Sequence, residues 1–451
     1  MKSGHKLLGG LLILIGLLIN PVSLSWLFSN DENITSWSLI AAIISIGFII
    51  VLLGVAVYSF PKNVWLSKVG LALVSTVFTI TLLISADRFY GALLMPETSQ
   101  LLFPAYSRAE HNTAEFELDV QINNLGFRGE NTSIKKKKKR VLVIGDSFTF
   151  GWGVTLEETW VELLGNNYTH VEFLNLGQGG NHPGDYVQVA KKAIPLLKPD
   201  VVIVCILDGN DIHQLMRVVE YERGPKVEDE IIFLDEPRNE NLKRYLHVLL
   251  PHFSVRFQRS NSIQKRWLKD SRNLSWGLST EQDAKYELLD ANIRNEFEHG
   301  RLNPSLIYEG LHHPNLFIDA TDTSNTLCKK AIIRLQDHLE EIRALADAVE
   351  AKTIMVSLPN RPYGFKTELN QLTELGFNVA GCDTLTGNIP TQLALSQTKT
   401  TTIYPSIIGD SLFYKYDGHW NANGNRIFAQ ELIKELDNLP EWKHFLTSSS
   451  F

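Results

Sequence analysis

Three apolar stretches fill most of the first 94 of 451 residues, and each is close to the ~20 residues a helix needs to cross a bilayer. In hydrocarbon every backbone N–H and C=O must find its partner within the protein, so stretches of this kind have few options besides helix. They run from about Leu7 to Phe28 (interrupted at Asn20-Pro21), from about Ser38 to Phe60, and from about Leu66 to Ala86. A cleaved signal peptide is the competing reading of the first. The two stretches behind it, and the lack of a small-residue cleavage site, favour a retained helix. The short flanks set the orientation. Lys2 and Lys6 precede the first stretch, and Lys62 and Lys68 lie between the second and third. The loop between the first and second has Asp31 and Glu32 but no Lys or Arg. The positive-inside rule then puts the N-terminus in the cytoplasm, and three crossings leave everything beyond residue 94 outside. The expected localisation is multi-pass in the inner (cytoplasmic) membrane, with the remaining domain periplasmic or extracellular.

The basic run Lys135–Arg140 lies beyond the flanks that the rule counts, and reads as a solvated linker ahead of a buried strand. A basic patch for an acidic glycan or lipid headgroup is the alternative. A net charge of −7 gives no electrostatic reason for a nucleic-acid partner.

Beyond the apolar region, residues 95–139 read as a lead-in segment and linker, residues 140–440 as one α/β domain, and residues 441–451 as a C-terminal tail. The domain opens with Arg140–Gly145, a short β-branched run of the kind found in buried parallel strands. Further strands are expected at Val171–Leu176, Val201–Leu207 and Thr353–Leu358. Helices are expected from a capping box at Thr155–Glu158 through about Asn166, at Tyr186–Leu197, at Ser324–Ala351 and over 421–438. The long helix carries Ile332, Leu335, Leu339, Ile342, Leu345 and Ala346 on one face. Residues 213–324 break this rhythm and read as an insertion that covers part of a site and selects substrate. Its Trp267 and Trp276 could stack on sugar rings, although Trp is more often packed inside. The alternation of strands and helices predicts a parallel sheet, with ligands at the carboxyl ends of its strands.

Several motifs follow strands. Gly145-Asp146-Ser147-Phe148-Thr149-Phe150-Gly151-Trp152-Gly153 comes directly after the first. A serine hydroxyl becomes a useful nucleophile only when exposed at a turn and paired with a base, and this string suits Ser147 to that role. Gly409-Asp410-Ser411 repeats the tripeptide without a strand before it or a glycine-rich turn after it, so Ser411 is read as a decoy. Asn175-Leu176-Gly177-Gln178-Gly179-Gly180-Asn181 can aim a backbone N–H at an oxyanion. In Asp208-Gly209-Asn210-Asp211, Asn210 is either a further donor or a helix cap. Asp417-Gly418-His419 could supply a base and the carboxylate that orients it. Asp417 and His419 could also ligate a metal, but no further ligands stand at suitable spacing. His182 and His213 lie near these motifs as pocket-lining or surface residues, and His312-His313 stands apart. Of the three cysteines, Cys205 reads as a buried small hydrophobe, and pairing of Cys328 with Cys382 stays open.

Taken in order, the four blocks resemble those of the SGNH (GDSL-like) hydrolase superfamily. Gly145-Asp146-Ser147 resembles the first. Gly180 resembles the glycine of the second, with Gly179 or Gly177 as alternatives. Asn210 resembles the third, and Asp417 with His419 the last. Many members space that Asp and His three apart. Here they are two apart, which is similar to alginate-acetylation enzymes of the same superfamily. The resemblance implies a flavodoxin-like three-layer α/β/α fold, here preceded by three transmembrane helices. It implies acyl-ester chemistry on a carbohydrate or lipid, with no cofactor or metal. In that scheme His419 takes the proton of Ser147 and Asp417 orients His419. The N–H groups of Ser147 and Gly180 and the side chain of Asn210 form the oxyanion hole. The expected activity is extracytoplasmic hydrolysis of acyl esters, acetyl first among them, through an acyl-serine intermediate. Two alternatives remain: O-acyl transfer to a cell-surface polysaccharide, which would need a membrane acyl-donor partner protein, and a non-catalytic glycan-binding scaffold.

Overall fold

A computed structural model describes residues 2–19, 37–60, 64–94, 101–223, 250, 253, 261–363, 365, 369–382, 389–407 and 411–448. The chain divides into two compact units, one of Met1–Met95 with Glu236–Phe257, the other of Pro96–Asp235 with Gln258–Phe451.

The first unit holds helices α1 (Lys2–Leu18), α2 (Trp37–Ser59) and α3 (Val64–Leu94). Helices α1 and α2 meet through glycines seven residues apart on each. A Cβ on Gly9 would lie 2.8 Å from the Gly54 carbonyl oxygen, and one on Gly16 would lie 2.7 Å from that of Gly47. Backbone-to-backbone approach of this kind is how helices pack when no hydrophobic drive separates lipid from protein. Leu12, Ile50 and Val57 are buried along the same seam, while Leu7, Phe48, Ile49, Phe78 and Leu82 stand mostly exposed. Of the three expected spans, one stretch among the described residues, Lys68–Asp87 in α3, is long and apolar enough to cross a membrane. The apolar parts Lys6–Leu18 and Ile46–Ser59 are shorter. The interrupted end of the first expected stretch, Asn20–Phe28, lies outside the described residues.

In the second unit, β3 (Lys139–Gly145), β4 (Val171–Gly177), β5 (Val201–Leu207), β7 (Lys352–Leu358) and β8 (Thr401–Ile403) form an all-parallel sheet in the order β4-β3-β5-β7-β8. That is the flavodoxin-like strand order expected, apart from β8, which the sequence pattern does not announce. Strand residues alternate between two cores. Leu142, Ile144, Val202, Val204 and Ile206 face one layer, formed by α6 (Pro183–Leu197), α7 (Asn210–Arg223) and α13 (Thr326–Asp347). Val141, Val143, Ile203, Cys205 and Leu207 face the other, formed by α5 (Trp160–Asn167), α16 (Ala422–Asn438) and α17 (Pro440–Thr447). Helix α17 is anchored by Trp442, which is buried against Tyr168 and Phe173.

The expected helix start at Thr155 is corrected. Thr155 and Glu158 do bond to each other, but as a turn, and α5 begins at Trp160 with Thr159 as its cap. Trp160 is fully buried and its indole N–H is bonded, so its place in the core sets where the helix can begin. All three cysteines are buried. The basic run is tied into the fold: Lys136 pairs with Asp200, and buried Arg140 pairs with Glu172 while donating to the carbonyls of Ser133, Ile134 and Leu197.

Residues 101–139 are folded onto this domain. Strands β1 (Arg108–Asn112) and β2 (Glu117–Gln121) pair antiparallel, and β6 (Asn261–Ser262) joins β1 in parallel. Beyond β6, the described part of the insertion is mainly helical: α8 (Ile263–Gly277), α9 (Thr280–Glu287), α10 (Ala291–Glu298), α11 (Pro304–His312) and α12 (Leu316–Asp319). They enclose a third core, shared with α14 (Leu369–Glu374) and the following Leu375, Phe377 and Cys382. The remaining helices are α4 (Ser147–Phe150) and α15 (Ile389–Leu395).

Candidate active site

The turn after β3 is held by its carbonyls. Six in succession, from Asp146 to Gly151, accept hydrogen bonds. Phe150 N–H donates to Asp146, and Gly151 and Trp152 N–H donate to Ser147. The Trp160 indole donates to Phe148 at 3.0 Å and the Asn175 side chain to Thr149 at 2.8 Å. Arg128 donates to Phe150 at 3.1 Å, to Gly151 at 2.5 Å and, with its other terminal nitrogen, to Val154 at 2.5 Å. Asp146 caps the short helix α4, accepting from Phe148 N–H. Gly177 closes on the same turn, because a Cβ there would lie 2.2 Å from the Phe150 nitrogen. A buried peptide carbonyl without a donor is costly, so this set of donors leaves Ser147 one defined place to stand.

His419 lies opposite. Its Nε2 is 2.7 Å from Ser147 Oγ, and its Nδ1 is 2.5 Å from Asp417 Oδ1. For Nε2 to accept the serine proton, Nδ1 must carry the hydrogen and donate it to Asp417. Asp417 is buried, and burial pushes its carboxyl up. The charge of His419 and hydrogen bonds from His419 and the Trp152 indole outweigh that and hold it below the usual carboxylate range. Glu115 fixes the loop from below: its carboxylate accepts from Asp417 N–H at 2.6 Å and from Tyr416 N–H at 3.0 Å. Burial raises the Glu115 carboxyl, and these backbone bonds partly offset it. The Phe148 ring lies 4.8 Å from the imidazole and Trp420 meets Phe148 edge-on, which confines His419 on its far side.

Among the glycines of the second block, Gly179 borders the serine side chain: a Cβ built on it would sit 3.9 Å from Ser147 Cβ and from the Trp152 ring. Gly180 has φ +80°, and the space around it is open. Asn210 starts α7 at the carboxyl end of β5, which pairs with β3. The preceding Gly209 has φ +72° and presses against the Tyr363 ring, leaving no room for a side chain there. Ser147 and Asn210 thus follow the two adjacent strands at which the chain order reverses, the usual crevice of this fold.

The other candidates have structural places. Ser411 is exposed with φ +57°, and its carbonyl accepts from Asn421. Gly409 and Asp410 lie outside the described residues. His182 caps α6, accepting from Gly184 N–H. His213 is buried and its imidazole is depressed to about 3, chiefly by burial. His312 and His313 close α11, and the His312 ring stacks on Tyr308. Trp267 is buried 6.1 Å from the Trp152 ring, while the side chain of Trp276 lies outside what is described.

Three residues of the site have no sequence rationale. Glu115, Arg128 and Trp152 act through backbone groups and one carboxylate far along the chain. A buried arginine and a buried glutamate look like surface residues until their partners are known. The run Asn123–Gly129 offers the one available hint.

No protein-family model matches this chain, and no curated protein does. Solved structures of similar fold include a putative lipolytic protein of the G-D-S-L family from Desulfitobacterium hafniense, at 13% identity and TM-score 0.30, over 66% of this chain and 99% of that one. A member of the lipolytic G-D-S-L family from Veillonella parvula matches at 12% identity and TM-score 0.32, over 67% of this chain and 100% of that one. The psychrotrophic esterase EstA from Pseudoalteromonas sp. matches at 10% identity and TM-score 0.30, over 68% of this chain and 100% of that one. Likenesses this distant do not carry an activity across, so the chemistry must be argued from this chain's own site.

Arg128→Met takes the donor from three carbonyls, leaving Gly151 only the long bond from Val154 N–H, and should cost on the order of 3 kcal/mol, read as a drop in the urea midpoint. Asp208, buried beneath the third block and accepting from Ser357 Oγ, has its carboxyl pushed up to about 7 by burial. Between its ordinary range and about 7 the folded chain holds a proton that the unfolded chain has released, so stability falls as pH rises through that window. Asp208→Asn should flatten this fall, measured as melting temperature at pH 5 and pH 8.

Proposed function

We propose that this chain is a membrane-held serine esterase that cleaves short acyl esters on a carbohydrate or lipid through an acyl-serine intermediate. One observation carries the reading: the unbroken hydrogen-bonded chain Asp417–His419–Ser147 on a turn whose every carbonyl is paired. His419 Nε2 takes the proton as Ser147 Oγ bonds to the ester carbonyl carbon. The C–O bond to the alcohol then breaks, and the leaving oxygen receives the proton from His419. Water, activated by the same histidine, releases the acid and restores the serine. Asp417 stays ionised and stabilises the imidazolium. Asn210 and the N–H groups of Ser147 and of Gly179 or Gly180 receive the oxyanion.

O-acyl transfer differs only in the second acceptor, a sugar hydroxyl in place of water. The Asp-x-His spacing and the apolar helix Lys68–Asp87 favour it, and it requires a membrane acyl-donor partner. The chain is proposed to cross the inner membrane three times, with the catalytic unit outside. The lysine flanks and the glycine seam between α1 and α2 support this.

Full-length protein in detergent should hydrolyse p-nitrophenyl acetate and take a fluorophosphonate label on Ser147. Ser147→Ala and His419→Ala should abolish turnover, Ser411→Ala should retain it, and Asn210→Ala should lower it about 10²–10³-fold. An unlabelled, inactive protein would leave the non-catalytic scaffold as the better account. With acetylated donor and acceptor glycan, free acetate marks hydrolysis, whereas an acetylated acceptor marks transfer. In intact spheroplasts, added protease should degrade residues beyond 95, and survival of that unit would put it on the cytoplasmic side.

A further inference from the structure

The Trp152 indole stands beside the nucleophile. A Cβ placed on Gly179 would sit 3.9 Å from Ser147 Cβ on one side and 3.9 Å from Trp152 Cε3 and Cζ3 on the other. Those are ordinary van der Waals contacts, so a methyl-sized group at this place touches both the side chain of the nucleophile and the indole. The indole is also fixed. Its N–H donates to Asp417 Oδ2 at 3.2 Å. The His111 ring lies 4.5 Å from it, that of Trp267 6.1 Å, and Phe116 meets it edge-on at 6.4 Å. His111 and Trp267 are themselves buried. A ring pinned at its polar edge and backed by buried aromatic groups cannot swing away without breaking the bond that steadies the catalytic carboxylate.

We propose that Trp152 is the wall that sets acyl-chain length, restricting the acyl group carried by Ser147 to acetyl size. This rests on the acyl-serine reading above and narrows it. The rings that back the wall belong to residues 101–139 (His111, Phe116) and to the insertion (Trp267), so both segments would shape the acyl site through one indole.

The test compares p-nitrophenyl acetate, butyrate and octanoate with the full-length protein in detergent, reading kcat/KM for each. The wild type should favour acetate over octanoate by at least about 100-fold, and Trp152→Ala should cut that ratio at least about tenfold. Trp152→Ala also loses the bond to Asp417, so its rates should fall on all esters. The ratio, not the rate, reads the wall. Trp152→Phe keeps most of the ring and drops only the N–H donor, so it should slow all three esters while leaving the preference intact. Gly179→Ala tests the same place from the other side. Its methyl meets only ordinary contacts in the empty site, and it should give a folded protein that still takes the small label but turns over acetate at least about tenfold more slowly. Ser147-dependent hydrolysis with an octanoate-to-acetate ratio unchanged by Trp152→Ala would overturn the wall and leave the esterase standing. Absence of any Ser147-dependent hydrolysis or labelling would remove the esterase reading and the wall with it.

Discussion

Six consecutive peptide carbonyls, Asp146 to Gly151, have to be paired at the end of a buried strand where the chain turns too sharply for a long helix to serve them all. The solution draws donors from distant places: the Trp160 indole, the Asn175 amide and above all the Arg128 guanidinium. Arg128 is buried, and burial pulls its guanidinium down to about 10, still well above neutrality, so it remains charged. A cation that gives several bonds to carbonyls is a strong, directional clamp. The turn is therefore rigid before any substrate arrives, which is what a nucleophile needs.

The same logic extends to the other half of the site. Glu115 holds the backbone of Tyr416 and Asp417, and Trp152 holds the carboxylate of Asp417. These supports come from segments on either side of the catalytic serine in sequence. Residues 101–139 thus behave as part of the α/β unit. They pair strands of their own, deliver Glu115 and Arg128 to the loops that carry Asp417 and Ser147, and place His111 behind Trp152. The cost is a group of buried ionisable side chains whose neutral or charged forms are set by the fold. Asp146, beside the nucleophile, has its carboxyl pushed up to about 6, chiefly by burial.

Much of the architecture was legible because its signals are local. Strands β3, β4, β5 and β7 are runs of branched apolar residues bounded by charge or glycine, and their ends are read to within a residue or two. The long helix α13 shows its buried face at Ile332, Leu335, Leu339, Ile342 and Ala346. The start of α5 was not legible, because two threonines compete as caps and the burial of Trp160 decides between them. Strand β8 is three residues long, too short for a pattern. The helices of the insertion bury their apolar residues against each other and against residues 369–382, so no single segment carries the whole signal.

By itself the sequence determined the reactive groups and their order: a serine after the first strand, an asparagine after the third, and an Asp-x-His before the last helix. It also marked the N-terminal region as apolar helix, since long apolar runs without glycine–proline turns favour that state. It could not choose among Gly177, Gly179 and Gly180, because three glycines in one turn look alike until their distances to Ser147 are known. The tertiary structure decided that Gly177 packs under the turn while Gly179 faces the serine. It also decided that Trp152, which reads as one more apolar residue of the motif, bonds the Asp417 carboxylate and stands across Gly179 from Ser147. Which polar atoms meet is a matter of three-dimensional pairing between residues hundreds of positions apart, and no local pattern encodes it.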